Sequence, residues 1–329
     1  MAQVSGSDVK LAIFHEATWG VDPGVPDGKK LYFSTCGVNA AQNAVDDPTI
    51  SGGRGLRRSG RGNVDISGNL DVVIAPENFG TLLYHILGVP VTVGASAPYT
   101  HTFIPKTLPP GFILEKDYTS KIASKVERFN GCRVASAQLS FPQEGFATCS
   151  ISVSGKRHSI NAAMLDVDQT LSDFGNDGYS GLKGVVKRGG VQVGGILSAS
   201  LSIDNGMDTS LYTFPASGAT AGERGALPEG LARITGQIET VFEDFTIVDL
   251  AKAGTDTTFE WVYQHGTGIG TSGNEYLSFL VDHSDIMLAS PPIETASGMK
   301  VMYNFNAFSN GVEMGLLVTL KNAVAFVSI

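Results

Sequence analysis

Two stretches of the chain spell catalytic chemistry on their own. Asp166-Val167-Asp168-Gln169-Thr170 holds an Asp-x-Asp pair, in which one carboxylate can attack phosphorus while the other gives and takes the proton. Gly268-Ile269-Gly270-Thr271-Ser272-Gly273 spells the Gly-x-Gly-x-x-Gly pattern that cradles a pyrophosphate at a helix N-terminus. The surroundings weigh against both. A strand-like Tyr276-Leu277-Ser278-Phe279-Leu280 follows the glycines, so the run reads as a hairpin loop. The aspartates stand in an acidic, Gly- and Ser-containing stretch without period, which reads as a solvated linker. His15, His85, His101, His158, His265 and His283 lack metal-ligand spacing, Cys36, Cys132 and Cys149 form no Cys-x-x-Cys pair, and there is no Gly-x-Ser-x-Gly elbow. Neither a catalytic residue, nor a cofactor, nor a metal is expected.

A different chemistry remains, that of surfaces. Ser51 to Gly62 sets Arg54, Arg57, Arg58 and Arg61 among glycines and serines, a basic loop with too few apolar groups to pack by itself. It is either a solvated loop or an arm whose guanidinium forks meet acidic or carbonyl partners. Beyond it, Val64 to Ile74 alternates strictly. Val64, Ile66, Gly68, Leu70, Val72 and Ile74 make a dry face, against Asp65, Ser67, Asn69 and Asp71 on a wet one.

That strand is the element around which the chain is organised, because it occurs twice. Ile66-Ser67-Gly68-Asn69-Leu70-Asp71-Val72-Val73-Ile74 is echoed by Ile234-Thr235-Gly236-Gln237-Ile238-Glu239-Thr240-Val241-Phe242. Thr235, Gln237 and Glu239, with Arg233, make the second wet face. A helix follows each copy: about Pro76 to Leu87, with Pro76 at the first helical position and Phe79, Leu82, Leu83 and Ile86 on the packed face, and about Asp244 to Ala253, stopped by Gly254. Val38 to Val45 is matched by Leu197 to Ile203. A hairpin, Arg133 to Phe141 with Phe146 to Ser154, is matched more weakly by Ile286 to Leu288 with Met299 to Phe305. Its dry face is Ala147, Cys149, Ile151 and Val153, and Thr148, Ser150 and Ser152 form a small, uncharged polar one. The repeat predicts a first domain over 1–162, a linker over 163–184 and a second domain over 185–329.

Composition agrees with a mainly β protein: 40 glycines, with Val-, Ile-, Ser- and Thr-rich segments between turn clusters. A net charge of −9 argues against a cationic nucleic-acid binder. Three cysteines in strand-like contexts read as buried thiols of a reducing compartment. With neither a leader-like N-terminus nor a long apolar run, export and membrane insertion are not expected. A haloacid-dehalogenase-type phosphatase, which the Asp166/Asp168 pair resembles, needs a parallel sheet alternating with helices. It is retained as the alternative function, although the chain shows too few helical periods for it.

In order, an early strand over Val9 to Phe14, the turn Glu16-Ala17-Thr18-Trp19-Gly20, the Gly/Arg-rich loop, and an Ile-Ser-Gly-x-Leu strand leading into a helix resemble the tail tube proteins of long-tailed bacteriophages. The resemblance implies two tandem tail-tube-type β-sandwich/barrel domains, each with one short helix, that contribute to a continuous inner β-barrel on ring assembly. A tube of a contractile secretion device is separated poorly from a tail. The family's rings present six tube domains, so a chain with two should close as a homotrimer with pseudo-sixfold symmetry. Other copies of itself would be its main partners, with tape-measure and tail terminator proteins beside them, in a virion tail assembled in the host cytoplasm. The loop carrying Arg54, Arg57, Arg58 and Arg61 would reach neighbouring subunits. The wet strand faces would line the lumen: Asp65, Ser67, Asn69, Asp71, Thr148, Ser150, Ser152, Thr235, Gln237 and Glu239. DNA would pass them without specific binding, and a lumenal carboxylate such as Glu239 would neutralise Arg233.

Overall fold

The computed structural model describes residues 3–50, 53–55, 57–166, 171–214, 222–293, 298–311 and 315–325. The chain is mainly β. In the first half run β1 (Lys10–Glu16), β2 (Lys29–Leu31), β3 (Thr35–Cys36), β4 (Asn39–Val45), β5 (Gly60–Val73), α1 (Phe79–Leu87), β6 (Val91–Val93), β7 (Tyr99–Phe103), β8 (Gly111–Asp117), β9 (Val126–Pro142), β10 (Thr148–Gly155) and β11 (Arg157–Asn161). In the second run β12 (Gly184–Arg188), β13 (Val191–Gln192), β14 (Ile196–Asp204), β15 (Arg233–Val241), α2 (Thr246–Ala253), β16 (Thr257–Gln264), β17 (Tyr276–Ile286), β18 (Lys300–Ala307) and β19 (Leu317–Asn322).

Antiparallel pairing links these strands into one central sheet, ordered β4–β5–β10–β9–β14–β15–β18–β17, with β3 continuing the β4 edge along β5. The β9–β14 ladder joins the halves, running from Ser198↔Pro142 to Asp204↔Ser136. Two flanking sheets branch from the central one, β2–β1–β8–β9–β11 and β13–β12–β16–β17–β19–β7–β6. The strand partners recur in the same order in each half: β1–β8–β9–β11 is answered by β12–β16–β17–β19, and β4–β5–β10–β9 by β14–β15–β18–β17. The hairpin echo holds in the register, where Ile286↔Phe305 repeats Val134↔Val153.

The dry faces read from the alternation are buried: Ile66, Leu70, Val72 and Ile74 on the first copy, Ile234 and Ile238 on the second, and Ala147, Cys149, Ile151 and Val153 on β10. They share one core with both flanking sheets and both helices. The repeated glycines have distinct reasons. Gly68 sits at φ +152°, where a Cβ would stand 2.3 Å from the Gly37 carbonyl oxygen, and a Cβ on Gly236 would meet the Phe305 ring at 2.1 Å. One glycine lets two backbones touch; the other makes room for an aromatic ring.

Several expectations are corrected. Helix α1 begins at Phe79 with Asn78 as N-cap, so Pro76 lies in the preceding turn rather than at the first helical position. It is enclosed rather than one-sided, since Tyr84 and His85 are buried along with Phe79, Leu82, Leu83 and Ile86. The roof is β19 of the other half: Asn322 Nδ2 donates to the Pro76 carbonyl at 2.9 Å, and a Cβ at position 80 would lie 3.1 Å from the Leu320 side chain. Helix α2 begins at Thr246. Asp244 accepts the Thr246 N–H at 2.8 Å, and Gly254 closes the helix in the left-handed region at φ +58°. Only Val248 of α2 is fully buried. The stretch read as linker is not purely solvated. Its approach is strand β11, Tyr179 is fully buried, and Asp173 takes an ion pair from Lys30 at 2.7 Å. The glycine run at 268–273 is the β16–β17 hairpin loop, as its context required.

Candidate functional site: a polar sheet face and a basic arm

The wet residues named from the sequence lie on one face of the central sheet, and the registers bring them side by side. On β5 and β10, Ser150 stands opposite Asp71 and Ser152 opposite Asn69. The next strands carry the face across the seam. Ser140, Gln138 and Ser136 of β9 oppose Thr148, Ser150 and Ser152 on one side, and Ser200, Ser202 and Asp204 of β14 on the other. Thr235, Gln237 and Glu239 of β15 follow, backed by Asn306, Asn304 and Met302 of β18. Alternation forces this continuity: once the odd or even residues of each strand are buried, their neighbours must share the opposite surface. The residues of β9 and β18 were not singled out from the sequence. The Ser136, Gln138, Ser140 alternation was the available signal.

Hydroxyls clamp the carboxylates of this face. Ser150 Oγ donates to Asp71 at 2.5 Å and Thr35 Oγ1 donates to it as well; these two bonds hold its carboxyl below the usual aspartate range. The second half repeats the arrangement, Ser198 Oγ donating to Glu239 at 3.1 Å. Gln237 Nε2 donates to Asn304 at 3.0 Å. The face thus offers carboxylates and neutral dipoles already engaged with each other.

Asp65 differs from the expectation of a free wet-face charge. The buried guanidinium of Arg224 pairs with it while donating to the carbonyls of Ile66 at 2.9 Å, Gly155 at 2.7 Å and Thr209 at 2.9 Å. Arg224 belongs to the β14–β15 loop, which crosses from the second half onto the first. Gly222 O accepts Val64 N–H at 2.9 Å, and Glu229 takes an ion pair from Arg133 at 2.5 Å. Asn205, at the root of that loop, donates to the carbonyls of Val134 and Ile86. Arg233 is exposed and stands opposite Asp204 of β14; Glu239 lies too far along the same strand to neutralise it.

The β4–β5 loop carries the four arginines. Arg54, Arg57, Arg58 and Arg61 are all exposed, and none makes an ion pair among the described residues. Residues 51, 52 and 56 of the loop lie outside the described residues. Its far end is ordered more than expected: Gly60, Arg61 and Gly62 extend β5, with Ala44↔Arg61 and Val45↔Gly60 in register. Backbone pairing needs no side chain, so glycines there do not end the strand. Both faces of β4 are largely exposed, and its outer edge has no strand partner among the described residues.

The Glu16–Gly20 turn is built around a buried carboxylate. Glu16 accepts the N–H groups of Gly20 and Gly131, each at 2.7 Å, and burial pushes it up to about 7 against those bonds. Trp19 Nε1 donates to the Gly131 carbonyl at 2.9 Å, and Lys156 lies over the indole. A model of the phage tail tube protein family matches residues 6–307. The chain belongs to this family. No curated protein matches it. As a tail tube protein it is a structural subunit of the phage tail, self-assembling into the tube. The phosphatase reading finds no support: Asp166 is buried, Asp168 lies outside the described residues, and the named strands pair antiparallel rather than in the parallel sheet that fold needs. Among the described residues no helix is long and apolar enough to cross a membrane.

Proposed function

We propose that three copies of this tail tube protein close head to tail into a ring of six tube-type domains, 1–162 and 185–329 of each chain joined by 163–184, and that stacked rings form the conduit for DNA. The observation that carries this reading is the seam. Within one chain β14 pairs with β9, and the matching edge of the first half has no strand partner among the described residues: Thr35 opposes Asp71 as Ser198 opposes Glu239, and Ala41 opposes Asp65 as Asp204 opposes Arg233. A second copy would supply the missing partner from the chain just after β17, the counterpart of the last part of β9. Closure would also remove an exposed edge that otherwise invites aggregation.

Eight central strands per chain would give about 24 around the ring, more than the number at which a barrel leaves an aqueous channel. The dry face is committed to the core, so the polar face is the one left for the lumen. Asp65, Ser67, Asn69, Asp71, Thr148, Ser150, Ser152, Thr235, Gln237 and Glu239 would then line it together with the β9 and β14 serines. Hydroxyls and engaged carboxylates offer phosphate no cation, and the exposed Arg233 of this face stands opposite Asp204, so DNA slides without specific binding. Arg54, Arg57, Arg58 and Arg61 form the assembly loop. Tape-measure and terminator proteins would meet the tube inside and at its end, with assembly in the host cytoplasm. Native mass spectrometry or a ring count by electron cryomicroscopy tests the stoichiometry: three chains per ring are expected, and six would overturn it.

A further inference from the structure

We propose that Arg61 of one copy forms an ion pair with Asp285 of the next copy in the ring, the charge-exchanged counterpart of the Glu229–Arg133 pair that holds the two halves of a single chain together. The inference rests on the head-to-tail ring and names the contact that closes it.

Arg133 and Asp285 occupy the same place in the two halves. Ser67 and Thr235 are matched in the repeated strand; Ser67 pairs with Ser154 and Ser154 with Arg133, while Thr235 pairs with Asn306 and Asn306 with Asp285. Glu229 and Arg61 are matched as well. Each precedes its strand residue, Arg233 or Asp65, by the same interval, and each is followed by a glycine tied to the preceding strand or its end. Gly230 N donates to Asn205 O at 3.0 Å, and Gly62 O accepts from Gln42 Nε2 at 2.8 Å.

Within the chain the first pair is made: Glu229 crosses to Arg133 at 2.5 Å, and its carboxylate also accepts the Leu108 N–H at 3.2 Å. The second pair is not made. Arg61 and Asp285 are both exposed, and neither has an ion pair among the described residues. Both members have switched sign relative to their counterparts, so the contact keeps its attraction while the polarity is reversed. A second copy of this chain satisfies both at once. The reversal also sets order, because an arm bearing Arg61 placed on the first half would meet Arg133, a like charge, and an arm bearing Glu229 placed on Asp285 would likewise be repelled. The neighbouring position inverts too: Asp65, paired by Arg224, is matched by Arg233.

Charge reversal with rescue tests the pair. Arg61→Asp and Asp285→Arg should each leave the monomer's melting temperature unchanged, since both side chains are exposed, and raise the protein concentration needed for rings by at least about tenfold. The double variant Arg61→Asp/Asp285→Arg should recover wild-type assembly. Should either reversal lower the melting temperature, Arg61→Ser and Asp285→Ser serve instead, with the double serine variant losing no more than one single does. Single variants that assemble normally, or a double variant as impaired as the sum of its singles, overturn the pairing. That failure is distinct from failure of the ring itself, which would appear in the wild-type chain as a stoichiometry other than three.

Discussion

With the polar face lining the lumen as proposed, reversing its carboxylates should turn a passive conduit into one that holds DNA. Asp71→Lys/Glu239→Lys is the informative variant. Asp65 is left alone because a lysine there would face the buried Arg224 guanidinium, which already donates to three carbonyls and has no room to move away. Asp71 gives up its bonds from Ser150 and Thr35 and Glu239 its bond from Ser198, each worth about 1 kcal/mol and all on a partly exposed face, so the subunit should fold. In a ring of three chains the two substitutions set about six cations around the lumen. Each phosphate neutralised contributes about 0.9 to the fall of log K with log salt, so six give a slope near −5, or roughly a thousandfold weaker retention at 200 mM than at 50 mM salt. DNA release from triggered virions, followed by dye fluorescence, should be strongly slowed at 50 mM and near wild type at 200 mM. Intact tails releasing DNA at equal rates at both salt concentrations would refute the assignment of this face to the lumen.

Three further outcomes are expected. Arg224→Met should lower the unfolding free energy measured in denaturant by about 1–3 kcal/mol, because it leaves the buried carbonyls of Ile66 and Gly155 without their donor and removes the anchor of the crossing loop, Asp65 being half exposed; a loss below about 0.5 kcal/mol would show that the loop is held otherwise. Gly68→Ala should prevent folding, or cost far more than Gly254→Ala, since the added Cβ strikes the Gly37 carbonyl whereas at Gly254 only the left-handed φ is at stake, worth about 1 kcal/mol; equal costs would remove the close-approach argument. Glu77 is pushed up to about 7, first by burial and then by Glu275, so the unfolded chain ionises it before the folded one does. Its stabilising share is complete below about pH 4.5 and is lost as pH rises through 7, by about 1–3 kcal/mol after allowing for partial exposure. Glu77→Gln should flatten that decline in melting temperature, and an unchanged decline would assign it to another group.

What could be read from the chain was what period alone decides. The Ile66 and Ile234 strands alternate over enough residues to fix both faces, and their likeness announced the repeat before any pairing was known. The β9–β14 seam was not legible, because a strand buried on one face looks the same whether its next neighbour comes from its own half or the other. Arg224 was invisible for a related reason. Its partners are carbonyls of Ile66 and Gly155, and no side-chain pattern records a backbone acceptor. The enclosure of α1 escaped because Tyr84 and His85 sit on what the helical period marks as the outer face, and the cover comes from β19, near the far end of the chain. Arg157 to Asn161 is short and half polar, and only its pairing with β9 makes it a strand.

The two matched loops differ in the way their tasks require, given the ring. The β14–β15 loop docks on a surface tethered to it, at a fixed and high effective concentration, so it can bury an arginine and be built in place as the chain folds. The β4–β5 loop must find its surface on another molecule and stay soluble until then. A buried arginine or an apolar anchor would be a liability in the free subunit, whereas exposed arginines among glycines and serines keep water around the arm and release it only where opposite charge and open backbone are presented together. Cis and trans copies of one contact therefore call for different compositions, and the exchange of charge between Glu229–Arg133 and Arg61–Asp285 is the device that keeps the trans arm from folding back onto the cis site.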